Sequence, residues 1–334
     1  MNRRTTSLAA AGTVVLVPVV AVTVLAVAGD LAPAPAGLPD PGALTRWGLP
    51  ATRALHDAAA VITIGMLVLT TVVLPRDPPD PERFSAPQAK AMRIAAITGT
   101  VWAVLGVVML VLTYCEVSGV SLLDPGLGPQ LGAFVVQFEL GRLLLGSTIV
   151  IAVVATGAHL ATQLSAAVLL QMLAFGALLM VALTGHTSGA DNHSTAVNTQ
   201  LAHMIGVTAW VGGLAGLGLL RGTLGTRFPG AARRFSTVAA ACFVLVAVSG
   251  VAGAVARTEG WPDLTSRYGQ LLVAKVALLA VLGAAGWLHR RRTLARLDAG
   301  QASGRAFGRL AAGELAVMAV AIGLGVALSR TPLP

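Results

Sequence analysis

The stretch LSAAVLLQMLAFGALLMVALTG, residues 164–185, decides the fold class. It carries no charged side chain, and a helix needs about 20 apolar residues to span the hydrocarbon core of a bilayer. Eight other segments of the chain have the same character. We therefore predict an all-α, polytopic transmembrane bundle of about nine spanning helices. The predicted spans lie at residues 7–29, 54–74, 93–114, 140–160, 164–185, 201–220, 236–257, 270–288 and 308–328.

The composition of the 334 residues excludes several classes of protein. Only 11% of the residues are charged and 55% are hydrophobic, whereas soluble domains carry about 25% charged residues. The net charge of +9 is carried by residues that flank the apolar segments, with no basic stripe with interleaved aromatics, so we expect no nucleic-acid partner. The sequence has no Walker loop, HExxH or GxSxG motif, which argues against an ATP-driven pump, a hydrolase or any other enzyme.

The two cysteines, Cys115 and Cys242, have no CxxC spacing. They form no disulfide framework, and a thiolate metal site is not expected.

The basic residues also predict the orientation in the membrane. If the N-terminus is cytoplasmic, 16 of the 23 Lys and Arg residues fall on the cytoplasmic side, as the positive-inside rule requires. An odd number of spans then places the C-terminus outside, in a multi-pass protein of the cytoplasmic membrane. The first span ends in Ala26-Val27-Ala28, which resembles a signal cleavage site. Its apolar stretch is longer than the about 7–15 residues of a signal peptide, so we interpret it as an uncleaved anchor.

The spans show signs of an internal repeat. His56 precedes Gly65 by nine residues in one predicted span, and His203 precedes Gly212 by nine residues in another. The segment 140–145 likewise resembles 268–273. Because each copy would hold four helices, both copies share one orientation, as in parallel repeats of transporters. We predict an anchor with an outer loop at 1–53, a first four-helix repeat at 54–185 and a second at 186–334.

Four of the six histidines are predicted at the outer face, at or near helix ends. They are His56, His186, His193 and His203. Each taken alone is typical of an interfacial residue, but the repeat places two at equivalent depths and a short connection holds the other two nearby. Imidazole suits copper, zinc, iron and nickel, so we predict that these histidines form a metal site. Thioether ligands favour Cu(I), but Met204 adjoins His203, and neighbouring residues do not share a helix face.

Charged residues inside spans are costly in lipid and are candidates for function. Lys275 lies about two turns inside its span. It either extends outward along the interface or faces the bundle. Glu314 has similar alternatives, a proton or cation relay or a pair with an inner-loop arginine. Arg142 lies at the outer end of its span.

Three segments resemble the copper resistance D (CopD) family. His203, Trp210 and the glycines at 212–213 follow the family's "H-x6-W-V/L-G-G-L" helix. The stretch 267–275, RYGQLLVAK, is similar to its "YG-x-LLxxK" segment, and Gly185-His186 is similar to a Gly-His at a helix end. The resemblance is good over 184–330, weaker over 54–183 and absent from the first span.

This resemblance implies an integral membrane protein that handles copper, usually by moving it from the outer side into the cytoplasm. It implies that His203, His186 and His56 lie near the copper path, with Lys275 among the characteristic positions. The partners it suggests are the lipid bilayer and an extracytoplasmic copper-binding protein. Two alternatives stay open, an assembly factor that delivers copper to a membrane oxidase and a haem-binding cytochrome with His56 and His203 as axial ligands.

Overall fold

The structure, a computed structural model, describes residues 16–27, 31–33, 37–77, 80–184, 193–258, 261–288, 291, 304–329 and 331. Its helices are α1 (Leu16–Val27), α2 (Ala43–Val68), α3 (Ala86–Ser118), α4 (Leu127–Gln137), α5 (Glu139–Leu160), α6 (Leu164–Leu183), α7 (His193–Leu224), α8 (Phe228–Arg257), α9 (Arg267–Leu288) and α10 (Gly304–Leu328). Each of the nine expected spans overlaps one of these helices, which confirms the polytopic helical bundle. The end of the bundle at which α2 and α7 begin is called the outer end below, following the predicted orientation.

Seven helical stretches in the described part are long and apolar enough to cross a membrane. The longest, Ser194–Arg257, includes a short 3₁₀ turn at Gly225–Arg227. The chain reverses direction there, so that α7 and α8 pack along each other. Gly225 has a φ of +53°, a left-handed conformation that glycine adopts without the strain of a Cβ. This stretch therefore contains two antiparallel spans.

The beginning of α2 differs from the prediction. The helix begins at Ala43 rather than at 54 and includes Pro50. Asp40 holds this end in place, since its carboxylate accepts the N–H of Gly42 at 2.8 Å and pairs with Arg46. His56 therefore lies more than three turns inside α2, and the expectation that it starts the helix was wrong.

A further helix lies where an outer loop was expected. Helix α4 occupies residues 127–137 of the predicted loop 115–139 and is about 16 Å long, too short to cross a bilayer. It packs over the outer ends of its neighbours, with Phe134 against Tyr114 of α3 and the Tyr114 hydroxyl donating to Gln130 at 2.6 Å. Arg142 of α5 donates to the carbonyls at the end of α4, those of Val136 and Gln137.

The centre of the bundle is the crossing of α2 and α7, which run in the same direction. Gly65 lies directly on Gly212, and Gly212 in turn approaches the carbonyl oxygen of Val61. A Cβ on either glycine would overlap backbone atoms of the opposite helix. Glycine thus lets the two backbones touch, as in small-residue contacts between membrane helices. One turn further in, Gly216 receives the side chain of Met66.

The inner end of α2 is tied to the beginning of α3. Residues Leu69–Val73 form a π-helical turn, and the Gln88 side chain donates to the carbonyl of Thr70 at 2.9 Å. The same Gln88 accepts the N–H of Ser85 at 2.9 Å and completes a capping box for α3. One buried glutamine therefore satisfies backbone groups of both helices.

Two contacts join the halves of the chain at the inner end. Lys90 of α3 donates to the Thr223 hydroxyl at 3.0 Å and approaches the carbonyl of Leu219 on α7. Arg227 in the α7–α8 turn pairs with Asp77 in the α2–α3 connection. Both contacts are exposed at the surface.

Helix α1 also packs into the bundle. Its Val17, Ala21 and Leu25 are buried, mainly against α10. The four-helix repeat agrees with the glycine crossing and with a second pair, Gly141 and Gly269. Each of that pair lies against the backbone of the segment before its helix. The division into repeats at 54–185 and 186–334 stays a prediction.

Replacing Gly65 or Gly212 by alanine is expected to destabilise the protein strongly. Each new methyl group would overlap backbone, and overpacking of this kind costs about 1–3 kcal/mol or more. Thermal unfolding in detergent, followed by tryptophan fluorescence, measures the change. Gly218→Ala is the control, because no atom lies within 4 Å of a Cβ at that position of α7. Equal melting temperatures for the three variants would contradict the close crossing.

Candidate functional site

His56 is buried between α2 and α3. Its side chain is 2% exposed, and its ring lies edge-on to Trp102, with 5.9 Å between the ring centroids. The Nδ1 atom is 3.4 Å from the carboxylate oxygen of Asp57. A carboxylate only accepts hydrogen bonds, so it favours a proton on Nδ1. The Nε2 atom then keeps its lone pair, the form in which histidine binds metals.

His203 has a matching arrangement between α7 and α8, almost three turns inside α7 rather than at the helix start that the sequence suggested. Its Nδ1 atom lies 3.3 Å from the Ser249 hydroxyl. That hydroxyl donates to the carbonyl of Leu245 at 2.5 Å, so its oxygen accepts from the imidazole. An N–H of His203 thus faces α8, and the other nitrogen keeps its lone pair.

The two histidines lie equally far along the chain from the glycines of the crossing, and they also have equivalent neighbours. Each contacts the following antiparallel helix through a residue exactly 46 positions later, Trp102 for His56 and Ser249 for His203. Each ring is therefore turned toward its own half of the bundle. Gly250 lies beneath the His203 ring, which is 3.6 Å from the position of a Cβ there.

Two cationic side chains lie near His203. Arg257 of α8 donates to the Gln200 side chain, one turn before His203 on α7, at 2.9 Å. Lys275 of α9 extends to α10, where its Nζ atom is 3.5 Å from the position of a Cβ on Gly325. Lys275 therefore faces the bundle, which is one of the two alternatives that its position in the sequence left open.

The remaining histidines divide into two groups. His186 and the side chain of His193 lie outside the described residues, so their convergence with His56 and His203 stays a prediction. His289 also lies outside them. His159 is exposed at the inner end of α5, where its Nε2 atom lies 3.4 Å from the Thr100 hydroxyl. Within the described part of the chain, no three His, Cys, Asp or Glu side chains come together as metal ligands would.

Several residues near the site were missed by reasoning from the sequence. Trp102 is fully buried, and its indole Nε1 has no hydrogen-bond partner within the described structure. Ser249 carries no recognisable motif. The spacing of 46 residues inside the repeat is the signal by which both could have been found. Met66, whose sulfur could be taken for a metal ligand, is fully buried in the hydrophobic core.

The comparisons with known proteins give two family matches. Residues 229–328 match the family described as "Copper resistance protein D", and residues 43–196 match "Copper resistance protein D-like, N-terminal domain". The segment 267–275 lies inside the first match, whereas His203, Trp210 and Gly212 lie between the two matches. No curated protein and no solved structure matches the chain.

Ser249→Ala is expected to shift the His203 tautomer toward Nε2–H. Removing one hydrogen bond of about 0.5–1.5 kcal/mol changes the tautomer ratio by about 2- to 10-fold. Solid-state ¹⁵N NMR of histidine-labelled protein in lipid measures the ratio. Ser147→Ala is the control, since the Ser147 hydroxyl donates to the carbonyl of Leu144 in its own helix. A wild-type His203 already protonated on Nε2 would contradict the assigned geometry.

Proposed function

Because this chain belongs to the copper resistance protein D family, we propose that it carries copper across the cytoplasmic membrane from the outer side to the cytoplasm. The family establishes a multi-pass membrane protein concerned with copper resistance. Copper is the cargo, and no covalent chemistry is required of the protein. The entry site is formed by the outer histidines. They are His56, His203, His186 and His193.

The observation that carries this proposal is the hydrogen bonding of the two described histidines. Asp57 binds one imidazole and Ser249 binds the other, each at Nδ1. A histidine held in this way presents a neutral Nε2 in a fixed direction, which is the usual arrangement around protein-bound metals. Imidazole nitrogen suits copper among the metals that proteins bind.

His56 also lies at the start of a line of buried polar side chains that runs through the apolar bundle. On α2 and the π-helical turn that follows it, His56, Thr63 and Thr70 follow one another at seven-residue spacing and are all at most 2% exposed. Residues seven apart lie on one face of a helix. Thr63 also bonds Thr98 of α3, with 2.9 Å between the hydroxyl oxygens. This line supports a route from His56 toward the inner end of α2.

The outward placement of the histidines supports uptake rather than export. Sixteen basic residues fall on the opposite side of the chain from these histidines, and an excess of Lys and Arg marks the cytoplasmic side. A site that binds copper at the outer end meets the ion before it enters the cell. An extracytoplasmic copper-binding protein is the partner that fits this direction.

The double variant His56→Ala/His203→Ala is expected to reduce copper accumulation in cells to the level of a strain that lacks the protein. Both free Nε2 ligands are lost, while the helices keep their lipid-facing residues and insert normally. Accumulated copper is measured by mass spectrometry, and membrane protein by immunoblot. His159→Ala is the control, because that histidine lies at the inner end.

Two results of this experiment would contradict the proposal. The first is accumulation unchanged from wild type in the double variant. The second is normal copper accumulation in the deletion strain together with lost oxidase activity, which would favour copper delivery to an oxidase instead.

Thr63→Val is expected to slow copper uptake into proteoliposomes about 5- to 100-fold. The substitution keeps the shape of the side chain but removes a buried hydroxyl, whose loss is equivalent to about 1–3 kcal/mol. Thr100→Val is the matched control, since Thr100 is exposed on α3 and bonds the carbonyl of Ala96. Equal copper uptake rates for Thr63→Val and Thr100→Val would show that the buried threonines after His56 do not line the route.

A further inference from the structure

The two histidines have different side chains at the equivalent neighbouring position. In the second half this position holds Ser249, whose hydroxyl oxygen accepts from the imidazole of His203. In the first half it holds Trp102, and an indole N–H only donates. The Nδ1 atom of His56 lies against the carboxylate of Asp57 instead. The indole is therefore not needed to hold the proton on that imidazole.

The N–H group of Trp102 does not explain why a tryptophan lies here. The side chain is fully buried, and its Nε1 atom has no hydrogen-bond partner within the described residues. Buried tryptophans usually have such a partner, because an unpaired donor costs free energy. Phenylalanine would fill most of the same space without that cost. Ser249 shows that the equivalent place in the second half needs no aromatic ring for packing.

Apart from its N–H group, tryptophan differs from phenylalanine in the face of its larger ring. This electron-rich face attracts cations, and indole does so more strongly than the rings of tyrosine and phenylalanine. The centroids of the Trp102 and His56 rings are 5.9 Å apart, and their planes are inclined by 62°. An attracted cation lies within about 6 Å of the ring centroid. An ion bound by His56 on the side of α3 is therefore within reach of the indole.

Close packing of α3 on α5 holds the indole in this place. Gly99 and Gly106 lie about one turn on either side of Trp102. A Cβ at Gly99 would be 3.3 Å from the Cα of Ala155, and one at Gly106 would be 2.9 Å from the hydroxyl oxygen of Thr148. The two helices thus touch before and after the ring. A ring that is held in advance loses little freedom when an ion binds.

The surroundings of His56 also limit the charge of an ion that binds there. The imidazole is 2% exposed and the indole is fully buried, and the cost of burying an ion rises with the square of its charge. Within the described residues, Asp57 is the acid that contacts His56. Its single negative charge balances Cu(I), but it leaves Cu(II) or Zn²⁺ with a net positive charge.

We propose that Trp102 is a metal-contacting residue of the first half, where Cu(I) is bound by the Nε2 atom of His56 and the face of the indole. Trp102 makes this site selective for the monovalent ion. The inference rests on the proposed function, since it gives the oxidation state of the cargo and adds a residue to its route. At His203 the equivalent position offers the hydroxyl of Ser249 and no aromatic face.

A titration with Cu(I) tests the contact. The full-length protein in lipid nanodiscs competes for Cu(I), kept reduced by ascorbate, with a coloured Cu(I) chelator. Trp102→Leu is expected to weaken binding about 10- to 30-fold, because a contact between a cation and an aromatic face in a dry site is lost. Trp102→Phe keeps a weaker face and is expected to weaken binding about 2- to 5-fold.

The matched control is Trp210→Phe. Trp210 is a buried tryptophan of α7, but its ring packs on Phe243, with 5.6 Å between the ring centroids. This variant is expected to bind Cu(I) as wild type does. Elution of every variant as a single species in size-exclusion chromatography establishes that the nanodisc protein is folded.

A spectroscopic measurement separates contact with the ion from packing. Ultraviolet resonance Raman difference spectra, with Cu(I) minus without it, are expected to show shifted indole bands in wild type and in Trp210→Phe. The shift should be absent from Trp102→Phe and from His56→Ala. A tryptophan that serves only packing could weaken binding when it is replaced, but its own bands would not respond to the ion.

The outcomes distinguish this inference from the proposed function. Cu(I) binding that depends on His56 but is equal in wild type and Trp102→Leu overturns the inference and leaves the copper site standing. Equal losses in Trp102→Leu and Trp102→Phe, or no shift of the indole bands, also overturn it. So does displacement of Cu(I) by an equal concentration of Zn²⁺. Absence of any Cu(I) binding by wild type contradicts the inference and the proposed function together.

Discussion

The contact between the backbones of α2 and α7 is the constraint on which the rest of the structure depends. At Gly65 and Gly212 no side chain separates the helices, and lipid supplies no hydrophobic force to hold them together. Close packing over this short stretch does so instead. The crossing sets the position of both histidines, because each lies nine residues before one of these glycines on helices that run in the same direction. It also fixes which faces of α2 and α7 remain for α3 and α8.

The bundle could be predicted from hydropathy because each span must satisfy its own backbone hydrogen bonds, so spans are long and almost uncharged. Hydropathy did not predict helix α4, because its 11 residues are too few for a span. The helix is stabilised by packing against α3 and α5. Hydropathy also missed the beginning of α2. Residues before 54 include Pro50, Arg46 and Arg53, which resemble a loop in sequence but form helix where Asp40 anchors them.

The site was predictable only in part. The repeat predicted equivalent positions for His56 and His203, and each lies nine residues before one of the two glycines of the crossing. That the two histidines bind a metal together stays a prediction. Their partners did not follow, because Trp102, Ser249 and Arg257 are brought close by the packing of antiparallel helices rather than by any local motif.

The polar contacts at the inner end of the bundle are weaker than the backbone crossing of α2 and α7. Lys90 with Thr223, and Arg227 with Asp77, join the two halves through exposed side chains, and exposed pairs of this kind contribute only about 0–1 kcal/mol. The same end also holds buried apolar side chains of both halves, among them Leu69 and Val73 after α2 and Leu220 of α7. The two halves are therefore joined at this end mainly by apolar packing, and loss of the exposed pairs would leave that packing in place.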